Sequence, residues 1–144
     1  MESNLKNVVK KHGELMKENG YVIHNVYPTN KNEIFSHHTY GLKENYNHMD
    51  LQVALALHPS IINPVLDGVV NQIKNGETFE DKLVSDRVIQ GFEVQLVKVK
   101  FGNRELLRII IPDENGKFPA DKDCADGYKN QLDDVLKNCL NKSN

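Results

Sequence analysis

The chain carries six histidines, the side chains best suited to acid–base or metal chemistry near neutral pH, and four of them fall close together. His37 and His38 lie in FSHHTYGL, His48 in ENYNHMDL and His58 in LALHPS. A metal centre needs three or four donors converging at about 2 Å, and an acid–base histidine needs a carboxylate to orient its ring. On a strand, neighbouring side chains point to opposite faces, so only one of His37 and His38 can join a given cluster. His24 on the preceding strand can pair across with one of them, His48 can add a third imidazole, and Asp50 or Asp113 can complete the set. No recognised ligand spacing accompanies these residues, so neither a metal nor a cofactor is expected. The simpler expectation is strand histidines that are partly exposed or hydrogen-bonded into the structure.

Other motifs lead to similar conclusions. In PDENGKF, setting Gly116 at the sixth position of a calcium loop places Asp113 and Asn115 at ligand positions. It also places Ile111 at position one and Lys122 at position twelve, where a glutamate belongs. Asn115-Gly116 is better read as a tight turn, with Asp113 bonding the turn's own amides. Ser36 precedes His37, but the chain has no G-x-S-x-G elbow and no glycine-rich phosphate motif. Cys139 belongs to the apolar face of the last expected helix. Cys124 is expected to be the more exposed thiol, its pKa raised by Asp121, Asp123 and Asp126. Both cysteines are read as reduced, and no complete catalytic set is present.

Charge sets further bounds. A net charge of −2 and a pI near 6.3 disfavour a nucleic-acid binder, which concentrates basic residues along one face. From Asp113 to Asp134 there are seven acids (Asp113, Glu114, Asp121, Asp123, Asp126, Asp133, Asp134) against three lysines, a region suited to steering a basic partner. No apolar run approaches the roughly 20 residues of a membrane-spanning helix. The amino terminus, MESNLKNVVKKHG, lacks the apolar core of a secretory signal, and the expected compartment is the cytoplasm.

Several elements must position these residues. Leu5, Val8, Val9, His12, Leu15 and Met16 form a helical stripe between a Ser3 cap and Gly20. Strands follow at YVIHNVY, EIFSHHTYG and HMDLQVALAL, the last apolar enough to be covered on both faces. Residues 59–75 read as a second helix, its regular part starting at Asn63 as cap with Pro64 in the first position. Three more strands are expected, at 83–88, at FEVQLVKVK and at RELLRIIIP, with a hairpin at Phe101-Gly102-Asn103. A third helix places Tyr128, Leu132, Val135, Leu136, Cys139 and Leu140 on one side. With 144 residues, this predicts one α+β domain over 1–144: a mainly antiparallel sheet of about six strands with three helices.

In order and spacing, the motifs resemble an uncharacterised bacterial family, domain of unknown function 4262. FSHHTYGL supplies Phe35, Thr39, Gly41 and Leu42 of its T-x-G-L element, and His48, Asp50 and Leu51 match a histidine–proline–acid–leucine element without the proline. LHPSIINPVLDGV matches a proline-led helix and Gly91-Phe92 a glycine–aromatic strand start. IIPDENGKFP keeps Pro112, Asp113, Gly116, Phe118 and Pro119, with Ile111 where relatives tend to have tryptophan. The resemblance spans roughly residues 20–132 and implies a shared fold and candidate ligand-binding residues, Thr39, His48, Asp50, Asp113 and Phe118, but no reaction.

The leading functional expectation is a small non-enzymatic protein-binding domain, an immunity or inhibitor protein of a basic toxin, with Asp121, Asp123 and Asp126 facing the partner. The competing expectation is a small-molecule- or metal-dependent enzyme built on His48, Asp50 and Asp113.

Overall fold

The computed structural model describes residues 2–31 and 33–135, leaving out the side chains of 2–9 and 12. In chain order the elements are α1 (Glu2–Asn19), β1 (Val22–Val26), β2 (Ser36–Tyr40), α2 (Leu42–Tyr46) and β3 (Leu51–Val53). There follow α3 (Pro59–Lys74), β4 (Val84–Ile89), β5 (Phe92–Phe101) and β6 (Arg104–Ile110). The six strands form one mixed sheet in the order β1-β2-β3-β6-β5-β4, so the chain is α+β. Every pairing is antiparallel except β3 with β6. The single parallel contact follows from connectivity. α3 carries the chain from the middle of the sheet to its far edge, and two hairpins bring it back beside β3.

One face of the sheet is apolar. Leu51, Val53, Val94, Leu96, Leu107 and Ile109 pack with Ile62, Leu66, Val69, Val70 and Ile73 of α3 in a continuous core. Burying this set is the main favourable term in holding helix to sheet. The opposite face is unusual. His24, His38, Gln52, Arg108 and Val97 stand side by side across five strands, and of these His38, Gln52 and Arg108 are buried.

Local differences from the sequence reading have physical causes. The regular part of α3 begins at Pro59, not at Asn63. The His58 ring accepts the Ser60 N–H and Pro59 occupies the first turn, while Pro64 sits inside the helix. The buried stripe from Ile62 to Ile73 offsets the backbone donor that Pro64 lacks. The helix α2 was not expected, because LKENY is short and charged. It follows Gly41, whose φ of 112° turns the chain sharply after β2. The strand at HMDLQVALAL shrinks to Leu51–Val53. Helical backbone begins again only at Asp133. Leu136, Cys139 and Leu140 of the expected last helix lie outside the described residues, as do the side chains of Leu5, Val8, Val9 and His12.

Candidate functional site

The T-x-G-L element, the loop after α2 and the start of β6 meet around Asp50. Thr39 Oγ1 donates to Asp50 Oδ1 at 2.8 Å, and the Leu42 N–H donates to the same oxygen at 3.0 Å. Thr39 Oγ1 also accepts the Leu51 N–H at 2.9 Å, and Arg104 Nη2 donates to Asp50 Oδ2 at 2.9 Å. Both Thr39 and Asp50 are buried, and buried polar groups persist only when matched in this way. Gly41 is required here on two counts. Its φ is in the left-handed region, and a Cβ would lie 2.7 Å from both the Gly20 carbonyl oxygen and Met16 Sδ.

His48 stands beside this knot, but both of its ring nitrogens are engaged by backbone. Nδ1 donates to the Met49 carbonyl at 2.8 Å, and Nε2 accepts the Phe79 N–H at 3.0 Å. The imidazole thus ties the start of β3 to the segment that follows α3, with no nitrogen left over for a substrate. His37 is similar: Nε2 donates to the Leu55 carbonyl and Nδ1 accepts from Asn25 Nδ2. Burial lowers its pKa.

On the opposite face a directed chain of donors crosses the sheet. Arg108 Nε donates to Gln52 Oε1, Gln52 Nε2 donates to Ser36 Oγ, and the Ser36 hydroxyl donates to His38 Nδ1 at 2.7 Å. Two nitrogens of Arg108 grip both oxygens of Asp134, at 2.7 and 2.9 Å. Burial raises the Asp134 pKa, but the Arg108 hydrogen bonds and charge outweigh it and hold the carboxyl below its usual range. His38 is pushed down to about 4, first by burial and then by the neighbouring His24, Arg104 and His37. The rings of His24 and His38 touch edge to face, 5.7 Å between centroids, as the cross-strand pairing anticipates. Among the described residues, no three His, Cys, Asp or Glu side chains are grouped to hold a metal ion.

Two clefts flank β6. The larger, about 670 Å³, opens beside the Asp50 knot and is lined by Tyr40, Lys43, Glu44, His48, Arg104 and Glu105, among others. The guanidinium of Arg104 lies 3.9 Å over the Tyr40 ring. The smaller, about 380 Å³, lies at the other end of β6 between Gly91, Phe92, Glu93, Pro112, Glu114 and Phe118. Asp113 supports that end from within. Oδ1 accepts the Asn115 and Lys117 N–H groups and Oδ2 accepts the Ala125 N–H, each within 2.9 Å. These bonds hold its carboxyl below the ordinary carboxylate range.

The sequence-derived candidates therefore divide. Thr39, His48 and Asp50 come together at the start of β6, while Asp113 and Phe118 lie beyond its other end. The strand from Arg104 to Ile110 alone separates the two ends by roughly 20 Å. Asp121, Asp123 and Asp126 are exposed. Asp121 accepts the Phe118 N–H, Asp123 faces Lys117 at 3.7 Å, and Asp126 pairs with Lys129 at 2.7 Å. Cys124 is buried, not exposed, because the 113–125 loop folds over it. Its thiol donates to the Lys117 carbonyl. Burial and then Asp113, Asp121 and Asp123 raise its pKa, the direction that its acidic neighbours suggest. Arg104 and Arg108 carried no local signal, since each acquires its role only when β6 docks beside β3.

The fold is α+β, and at its two ends Asp50, His48 and Asp113 bond backbone and side chains of the protein itself. A family model, domain of unknown function (DUF4262), matches residues 15–125, and the chain belongs to that family. No curated protein and no solved structure matches it. The motifs on which the sequence resemblance rests converge as two groups. T-x-G-L, His48 and Asp50 build the knot, while Gly91-Phe92 and Pro112 to Phe118 build the smaller cleft.

Proposed function

We propose that the protein is a non-catalytic binding domain for another protein, one that is basic at the surface it presents. The observation that carries this reading is the smaller cleft. Phe92 and Phe118 flank it, and Glu93 and Glu114 line it without a hydrogen-bond or ion-pair partner among the described residues. Aromatic side chains at such a site supply anchoring area, and a lysine or arginine laid on a ring face gains a cation–π contact as well as a carboxylate. The exposed Asp121, Asp123 and Asp126 extend the same charge. Their internal ion pairs are solvent-exposed and weak, so a partner's cations can replace the lysines. Not all seven acids contribute: Asp113 is bonded to backbone amides and Asp134 to Arg108, leaving a milder field than the sequence count suggests. The engagement of both His48 nitrogens and of Asp50 by structural partners also favours binding over acid–base chemistry. A surface of this kind suits an immunity or inhibitor protein that neutralises a basic toxin.

Affinity capture from the native host tests this. The expected result is one stoichiometric partner with a pI above about 9, bound less tightly as salt rises and lost from the Phe92→Ala, Glu114→Lys double variant. No stoichiometric partner, or equal capture by that variant, would overturn the proposal.

A further inference from the structure

The larger cleft, at the opposite end of β6, has a different chemistry. Arg104 is held there in one orientation. Its Nη2 is tethered to Asp50 at 2.9 Å, its guanidinium lies 3.9 Å over the Tyr40 ring, and its side chain is 29% exposed. Nε and Nη1 have no acceptor among the described residues. A planar cation fixed by a stack and a tether loses little freedom when an oxyanion docks on its remaining donors. Asp50 is unavailable to a ligand, because its two oxygens already take three donors.

The remaining charges narrow the ligand. Lys43, Glu44 and Glu105 line the same cleft, so two carboxylates with no partner among the described residues stand near the arginine. Counting Asp50, the lining sets three carboxylates against two cations, Lys43 and Arg104, a net negative balance that opposes a dianion such as phosphate or a dicarboxylate. It favours a ligand that carries its own cation beside its carboxylate. A volume of about 670 Å³ lies within the usual range for small-molecule sites.

We propose that this cleft binds a small zwitterion, a free amino acid or a short peptide. The ligand carboxylate accepts from a free N–H of Arg104, on Nη1 or Nε, its ammonium takes Glu105 or Glu44, and its side chain lies along Tyr40. The inference is independent of the protein-binding surface at the other end of the sheet. The Thr39–Asp50–Leu42 knot becomes the device that orients Arg104, a positioning role.

Calorimetric titration of the full chain tests the site with the twenty amino acids individually, glycylglycine, N-acetylglycine, succinate and inorganic phosphate. At least one amino acid or the dipeptide is expected to bind, with the dipeptide arm separating peptide from free amino acid. Blocking the ligand's amino group by acetylation should weaken binding by about tenfold or more, the scale of one lost charged contact. Arg104→Lys should do the same. Because that change touches the Asp50 tether, the exposed Glu105→Gln and Glu44→Gln variants provide a second test, and at least one should weaken binding without lowering Tm. The proposal is overturned if no zwitterion binds, if phosphate or succinate binds more tightly than every zwitterion, or if both glutamate variants bind like the wild type.

Discussion

Asp50 and Asp113 are both buried aspartates whose oxygens collect three donors, one at each end of β6. They differ in reach. The donors to Asp113 lie 2, 4 and 12 residues away, all within one loop. Those to Asp50 lie 11, 8 and 54 residues away and come from β2, α2 and β6. A local carboxylate shapes a loop. A long-range one decides whether separate elements stay docked, because removing it frees several of them at once.

Replacing Asp50 by alanine should therefore have the largest effect. The change leaves the buried Thr39 hydroxyl and Leu42 N–H without their acceptor and the half-buried Arg104 guanidinium without its tether. Breaking one side of such a pair costs roughly 3–5 kcal/mol. Denaturant unfolding should show that loss with an unchanged m-value. A loss below about 1 kcal/mol would mean that the elements dock without the knot, which would remove the contrast with Asp113.

The same contrast explains what could be read from the sequence. The Asp113 turn was legible because Asn115-Gly116 and its acceptor are neighbours in the chain. The strands were legible too, through β-branched and aromatic runs such as YVIHNVY. Arg104 and Arg108 were not, since β6 reaches β3 only after the chain has crossed to β4 and returned through two hairpins. Nothing near RELLRII indicates that one arginine will stack on Tyr40 and the other will be wholly buried. Cys124 departs from its expected exposure for a related reason. Its acidic neighbours suggested a wet loop, but that loop folds back on itself through Asp113.

A smaller effect, spread over pH, should come from the opposite face of the sheet. His38 has a pKa near 4 in the folded protein against about 6.5 in an unfolded chain. The unfolded state therefore binds the proton first as pH falls. The stability is fully present above about 6.5 and is lost progressively down to about 4, by up to ~3 kcal/mol in total. His37, also lowered, adds to the same trend. Thermal melts from pH 7.5 to 4.5 should show this slope, and His38→Asn, which keeps a partner for Ser36, should flatten it. An unchanged slope in that variant would assign the pH dependence to other groups.

Asp113→Ala should be the mildest of the three changes and the most local. The carboxyl titrates below the ordinary range, so its contribution is present at neutral pH and is lost only as pH falls through that depressed value. Removing it frees the Asn115, Lys117 and Ala125 amides in a loop that water can reach once it opens, so solvent can replace the lost acceptor. At Asp50 the cleft gives solvent access to Arg104, but the Thr39 hydroxyl and the Leu42 N–H stay buried unless the elements around them separate. The reporter is Cys124, which is 7% exposed and lies under this loop. In Asp113→Ala, alkylation of Cys124, resolved from Cys139 by peptide mass, should speed up well below the global melting temperature. In Asp50→Ala it should follow global unfolding. Should Asp113→Ala instead lower Tm as far as Asp50→Ala, or leave Cys124 as protected as in the wild type, the loop would be part of the cooperative core. The distinction between a carboxylate that shapes a loop and one that docks a sheet would then fail for this protein.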